Sequence, residues 1–195
     1  NQAPRYAQPG EPMQEQTIIL ELKLLADVGL VGFPNAGKST LLSSLSSARP
    51  KIANYPFTTL EPSLGIVGYH DNKSFVMADI PGIIEGASEG KGLGFQFLKH
   101  IDRCRAIIHL LDVSAGEDEV IANYQTIRRE LENWSSEMAS KDEFIIFSKA
   151  DIIDAEHLDE IVKIFEEKTG KKVFLTISAG AFIRIDELKD ALIER

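Results

Sequence analysis

The residues Gly32-Phe33-Pro34-Asn35-Ala36-Gly37-Lys38-Ser39 follow the pattern G-x-x-x-x-G-K-[ST]. Each fixed position has a physical reason. The glycines let the backbone wrap closely around a polyphosphate, and the N–H groups of the loop and of a following helix point at the anion. Lys38 can reach β- and γ-phosphates, and the Ser39 hydroxyl is a hard oxygen ligand for Mg²⁺; Thr40 continues the segment. A second group, Asp79-Ile80-Pro81-Gly82, places a carboxylate that can hold Mg²⁺ through water, followed by a glycine N–H that can sense a γ-phosphate. Alone it is an ordinary Asp-x-Pro-Gly turn; as the partner of a phosphate loop it gains meaning. Between the two lies Phe57-Thr58-Thr59-Leu60, where a threonine in a polar connection can reach both Mg²⁺ and the γ-phosphate, or can simply form a turn.

Two further segments suit a purine base. In Ser148-Lys149-Ala150-Asp151 the Asp151 carboxylate can accept from the guanine ring N–H and exocyclic amine, while the Lys149 stem covers the ring face. In Ser178-Ala179-Gly180 a backbone N–H can contact the guanine O6.

These groups must be carried by strands and helices. A buried strand is expected at 28–32 and a helix at 38–47. Strands at 64–69 and 74–79 flank His70-Asp71-Asn72-Lys73 and should pair as a hairpin. Residues 49–63 read as polar and irregular, and 82–94 as a glycine-rich loop before a helix over 95–104. Then come an apolar strand at 106–113, an amphipathic helix at 119–138, and a strand at 143–147. A helix at 155–168 is closed by Gly170, followed by a strand at 173–177 and a helix at 185–194. Alternating strands and helices predict an α/β sheet, and loops at the carboxyl ends of its strands are where such folds bind ligands. Residues 1–16 read as an extended polar segment, and 17–25 show strand-like alternation at Leu20, Leu22 and Leu24.

Composition narrows the alternatives. At 195 residues the chain has room for one domain and a short appendage. One cysteine, Cys104, excludes a disulfide framework and Cys-rich zinc modules. No apolar run approaches the ~18 residues of a membrane span, and the amino-terminal residues lack the form of a signal peptide, so a soluble protein of a reducing compartment is expected. A net charge of −9 argues against bulk electrostatic binding of nucleic acid, while leaving docking on a ribonucleoprotein through shape.

With these residues in view, the chain resembles a P-loop GTPase, specifically the G domain of the Obg family. The resemblance runs from Lys23 through Val28-Gly29-Leu30-Val31-Gly32 to Thr40, and continues in Tyr55-Pro56-Phe57-Thr58-Thr59-Leu60 and Asp79-Ile80-Pro81-Gly82-Ile83-Ile84-Glu85-Gly86-Ala87. It implies a three-layer α/β fold of Ras-like type, with a mostly parallel six-stranded sheet and one antiparallel strand. Residues 26–195 would be the G domain, and 1–25 the tail of a glycine-rich domain lying outside this chain. It further implies a monomeric, cytoplasmic, Mg²⁺-dependent GTP/GDP switch in large ribosomal subunit assembly, with slow hydrolysis and links to the stress nucleotide ppGpp. By position, residues 32–39 become the phosphate loop and Ser39, Thr59 and Asp79 the Mg²⁺ ligands. Thr58 is a rival to Thr59, and Lys38, Thr59 and Gly82 act on the reacting phosphate.

Two departures carry expectations. The family's base motif is N-K-x-D, and Ser148 stands where it has Asn. Serine is too short for both contacts of that Asn, to the base and back to the phosphate loop; one lost hydrogen bond weakens affinity about 2–10-fold. Asp151 remains, so guanine preference should survive. Ile83 cannot orient water as the glutamine of Ras-like GTPases does, which predicts slow intrinsic turnover. Asn35 is a candidate for holding K⁺ beside the phosphates. A non-catalytic nucleotide sensor and a relaxed NTPase are the competing readings. Cys104, expected to end a helix, reads as a small core residue, and His100 and His109 lack partners at zinc-ligand spacing.

Overall fold

The computed structural model describes residues 10, 13, 15–18, 26–52, 62–69, 73–80, 101–134 and 136–193. Residues 19–25 of the expected 17–25 strand, the threonine segment at 57–60, the residues from Pro81 to His100 and so the bulk of the expected helix at 95–104 lie outside them.

Among the described residues the chain forms β1 (Ala26–Val31), α1 (Lys38–Leu45), β2 (Lys51–Ile52), β3 (Ser63–Gly68), β4 (Ser74–Asp79) and β5 (Cys104–Asp112). There follow α2 (Glu117–Trp134), α3 (Ser136–Ala139), β6 (Asp142–Ser148), α4 (Ala155–Thr169), β7 (Leu175–Thr176) and α5 (Ile185–Ile193). One sheet contains all the strands, in the order β2-β3-β4-β1-β5-β6-β7. Strand β1 is parallel to β4 and β5, and β6 is parallel to β5 and β7. Strand β3 is antiparallel to β2 and β4, so the 63–68 and 74–79 strands pair as the hairpin expected of them. The two-residue β2 joins the six expected strands as a seventh. It arises in the 49–63 segment because Lys51 and Ile52 find partners in Leu64 and Ser63, a pairing no local pattern announces.

Side chains alternate across each strand and fill two faces. Ile108 and Leu110 of β5 and Phe144 and Ile146 of β6 pack with Leu41, Leu42 and Leu45 of α1 and Leu188 of α5. Leu111 of β5 and Ile145 and Phe147 of β6 pack on the other face with Val120 and Tyr124 of α2 and Phe165 of α4. Phe147 and Phe165 meet edge to face with ring centroids 5.2 Å apart. Full burial of such side chains contributes roughly 1.5–3 kcal/mol each.

Helix α4 follows its sequence signals: Asp154 accepts from the His157 N–H at 2.9 Å, and Gly170 closes the helix in the left-handed conformation. The expected 119–138 helix is helical on both sides of residue 135, which lies outside the described residues, and Arg128 of α2 donates to the Ala139 carbonyl of α3 at 2.6 Å. Cys104 opens β5, with helical backbone ending two residues earlier at Asp102, rather than ending a helix itself. Its place in the ladder opposite Ala26 sets that boundary. It is a buried core residue, as its type suggested, and burial pushes its thiol up to about 12. Strand β7 is shorter than the expected 173–177 because Leu175 and Thr176 alone take register with β6.

Candidate nucleotide site

The loop after β1 wraps tightly for steric reasons. A Cβ at Gly32 would lie 2.5 Å from the Leu110 carbonyl oxygen, so only glycine lets the chain pass this close to β5. Asn35 (φ 64°) and Gly37 (φ 94°) both adopt left-handed backbone, which turns the loop into α1. Glycine at the N-cap of α1 brings no side chain to occupy the helix's first N–H groups. Lys38 is buried and donates through Nζ to the carbonyls of Gly32 at 2.9 Å and Phe33 at 3.0 Å. Burial lowers its pKa against the opposing pull of the Asp79 charge. Ala36 is buried and Phe33 half-buried, while Pro34, Asn35, Ser39 and Thr40 are exposed.

The first and second motifs meet. The Ser39 hydroxyl donates to Asp79 Oδ2 at 2.5 Å. Asp79 Oδ1 is buried with no hydrogen-bond partner among the described residues. A hydroxyl and a carboxylate with one unpartnered buried oxygen are hard donors of the kind Mg²⁺ takes. No cluster of three or more His, Cys, Asp or Glu exists among the described residues. A cation held here would therefore rely on ligand phosphates and water for its remaining positions, as Mg²⁺ commonly does. Ile80 turns its side chain into the core with no exposure, so its backbone alone can line the site. Phe57, Thr58, Thr59, Pro81 and Gly82 lie outside the described residues. Ser63 pairs directly across from Asp79, so the chain enters β3 and leaves β4 side by side.

At the ends of β6 and β7 the base candidates assemble. Ser148 is buried, and its hydroxyl proton is shared between the carbonyls of Ala36 at 2.8 Å and Leu111 at 3.1 Å. The serine thus makes the contact back to the phosphate loop. Lys149 has left-handed backbone (φ 58°) and pairs through Nζ with Asp112 Oδ2 at 2.5 Å. Asp151 is exposed on the short 3-10 turn over Ala150–Ile152. Ser178 is buried and accepts from the Ala181 N–H at 3.1 Å, which leaves Ala179 half-buried and Gly180 exposed at the loop tip. The Ala150 N–H donates to the Ile177 carbonyl at 3.1 Å and ties the two loops together. Sequence reasoning missed Asp112. Its signal was the spacing Asp112-Val113-Ser114 after an apolar strand, a side-chain capped turn in which Oδ1 accepts from the Ser114 N–H and hydroxyl.

Residues 27–149 match the model of a family described as 50S ribosome-binding GTPase. GTPase Obg of Bacteroides fragilis (strain YCH46) is 57% identical over 191 residues, covering 98% of this chain and 48% of that protein. GTPase Obg of Porphyromonas gingivalis (strain ATCC 33277) is 58% identical over 194 residues, again 98% of this chain and 48% of the relative. The chain spans about half the length of the curated relatives it matches. Among solved structures, an Era variant from Aquifex aeolicus bound to GDP and aluminium fluoride superposes with a TM-score of 0.64 at 23% identity, covering 87% of this chain and 56% of that one. The G domain of the T. maritima FeoB iron transporter gives 0.61 at 22%, covering 86% and 96%. These two likenesses show the fold.

Proposed function

Since the chain belongs to the family of 50S ribosome-binding GTPases, with its similarity lying among the Obg proteins, we propose that it binds GTP with Mg²⁺ and hydrolyses it slowly to GDP and phosphate. The observation that carries this reading is the meeting of Ser39 and Asp79, 40 residues apart, beside Lys38 in a glycine-shaped phosphate loop. The loop and α1 N–H groups orient the β- and γ-phosphates, and the Lys38 ammonium balances their charge. Ser39, Thr59 and Asp79, the last through water, would hold Mg²⁺, which would supply charge neutralisation to the phosphates when bound. Water attacks the γ-phosphorus, the bond to the β–γ bridging oxygen breaks, and charge builds on that oxygen. Lys38, Thr59 and the Gly82 N–H stabilise the transferring group, with no covalent intermediate. Asn35, exposed within the loop, is the candidate for K⁺.

Asp151, with the Ser178-Ala179-Gly180 backbone, selects guanine, and Phe33, Pro34, Ala36, Gly37 and Thr40 complete the phosphate side. The biological role proposed is a cytoplasmic, monomeric switch on the large ribosomal subunit, responsive to GTP, GDP and ppGpp. Among the described residues no helix is long and apolar enough to cross a membrane. A relaxed-specificity NTPase is the second reading, favoured by Ser148, whose proton is engaged by the Ala36 and Leu111 carbonyls.

The test is single-turnover GTP hydrolysis with Mg²⁺ in KCl and in NaCl, with Lys38→Ala as control. Slow cleavage lost in the control is expected; tight binding without cleavage would point to a sensor, and equal rates in the two salts would remove K⁺. Asp151→Asn should shift preference toward xanthosine nucleotides, and ATP competing as well as GTP would favour the relaxed reading.

A further inference from the structure

Asp112 ends β5 directly across the ladder from Ser148, the residue before Lys149. Its two carboxylate oxygens have separate tasks. Oδ1 accepts from the Ser114 N–H at 3.0 Å and the Ser114 hydroxyl at 2.6 Å, capping the 3-10 turn over Val113–Ala115. Oδ2 holds the Lys149 ammonium. Both side chains are sheltered, with 20% of Asp112 and 34% of Lys149 exposed. Burial pushes the Asp112 carboxyl up, but the Lys149 and Ser114 hydrogen bonds outweigh it and hold it below the usual carboxylate range, so the anchor stays charged.

The other end of the anchor matters more. Lys149 is a non-glycine residue in left-handed backbone, a conformation that persists where surroundings over-determine it. It is followed by Ala150, whose N–H is fixed to Ile177, and then by Asp151. With its ammonium pinned to β5, the lysine stem has one direction to run, and its rotamers are ordered before any ligand arrives. Ordering a free lysine side chain would otherwise be charged against binding.

We propose that Asp112 is a positioning residue for purine-nucleotide binding, acting through Lys149: it fixes the stem that lies against the base and the turn that presents Asp151. This rests on the guanine-nucleotide reading above. No phosphate contact is assigned to Asp112, so its effect belongs to affinity rather than to the chemical step.

The experiment is a double-mutant cycle on the whole chain, using calorimetric titration with Mg²⁺ and GDP. Asp112→Asn keeps an oxygen for the turn cap and removes the charge that holds the lysine; Lys149→Met keeps the stem and removes its anchored head. Each should weaken GDP about five-fold, and Asp112→Asn should add less than about two-fold on the Lys149→Met background. The KM for GTP should rise with the loss of affinity while kcat moves by less than about two-fold, a split that general loosening of the fold would not give. Equal weakening by Asp112→Asn in both backgrounds, or a fall in kcat at unchanged KM, overturns the proposal. Should Asp112→Asn fail to fold, Lys149→Met, which leaves the cap intact, still decides: unchanged GDP affinity overturns it. Absence of GDP binding by the unsubstituted chain would instead overturn the guanine reading itself.

Discussion

Replacing Ser148 with alanine isolates one hydroxyl at the junction of three elements. In the structure its proton is shared between a carbonyl of the phosphate loop, Ala36, and a carbonyl at the end of β5, Leu111, at a position only 3% exposed. A hydrogen bond of this kind contributes roughly 0.5–1.5 kcal/mol, and a buried acceptor left without its donor costs about 1–3 kcal/mol. A loss of about 1–2 kcal/mol follows, and the melting temperature should fall by about 2–4 °C for each kcal/mol in a domain of this size. Binding must then re-order a loosened phosphate loop, which weakens ligands by at most the same free energy. The loss should be blind to the base, because the hydroxyl touches the loop. Mg²⁺-pyrophosphate, which has no base, should lose affinity by the same factor as GDP in calorimetric titration. Weakening of GDP with pyrophosphate unaffected would mean that Ser148 addresses the base, and the reading of this contact would be wrong.

Ser148→Asn adds a carboxamide long enough for both the loop and the base, so GDP affinity should rise about 2–10-fold by titration. Gly32→Ala drives a Cβ to 2.5 Å from the Leu110 carbonyl, both groups being backbone-fixed, so we expect about 1–3 kcal/mol of overpacking by urea denaturation and loss of GDP binding. Glu143 sits against His109 at 2.9 Å and Arg128 at 3.3 Å. Burial pushes its carboxyl up, but the His109 hydrogen bond and the charges of His109 and Arg128 outweigh it and leave the pKa below the ordinary value of 4.5. A depressed folded-state pKa means the stabilisation is full above the unfolded value and is lost as pH falls through the folded one. The urea midpoint should therefore fall as the pH drops below about 4.5, and Glu143→Gln should flatten that fall; an unchanged slope would dismiss the ion pair as a source of acid sensitivity.

The residues of the candidate phosphate side were legible because they are contiguous: one stretch supplies glycines, lysine and serine, and Asp79, which meets Ser39, stands in its own Asp-x-Pro-Gly motif. The strands that carry them were legible because apolar alternation is a local signal. What escaped notice depends on pairing between distant segments. Lys51 and Ile52 become a strand only through Leu64 and Ser63. Asp112 gains its task from Lys149, 37 residues away, and Ser148 reaches back 112 residues to Ala36. The substitution of serine at 148 could be seen in the sequence, but which of two contacts the shorter side chain would make depended on the approach of β6 to the phosphate loop.

Strand order also sets a clock. Strand β5 is bonded on one side to β1 and on the other to β6, while the sheet ends in two-residue strands at β2 and β7. Deuterium should enter the edges by fraying within the shortest labelling times, whereas Ile107–Leu110 can exchange only when the whole domain opens. The loops after β1, β6 and β7 hang from strand ends and can open separately, so a ligand that slows their labelling without touching the β5 plateau would report binding in isolation from global stability.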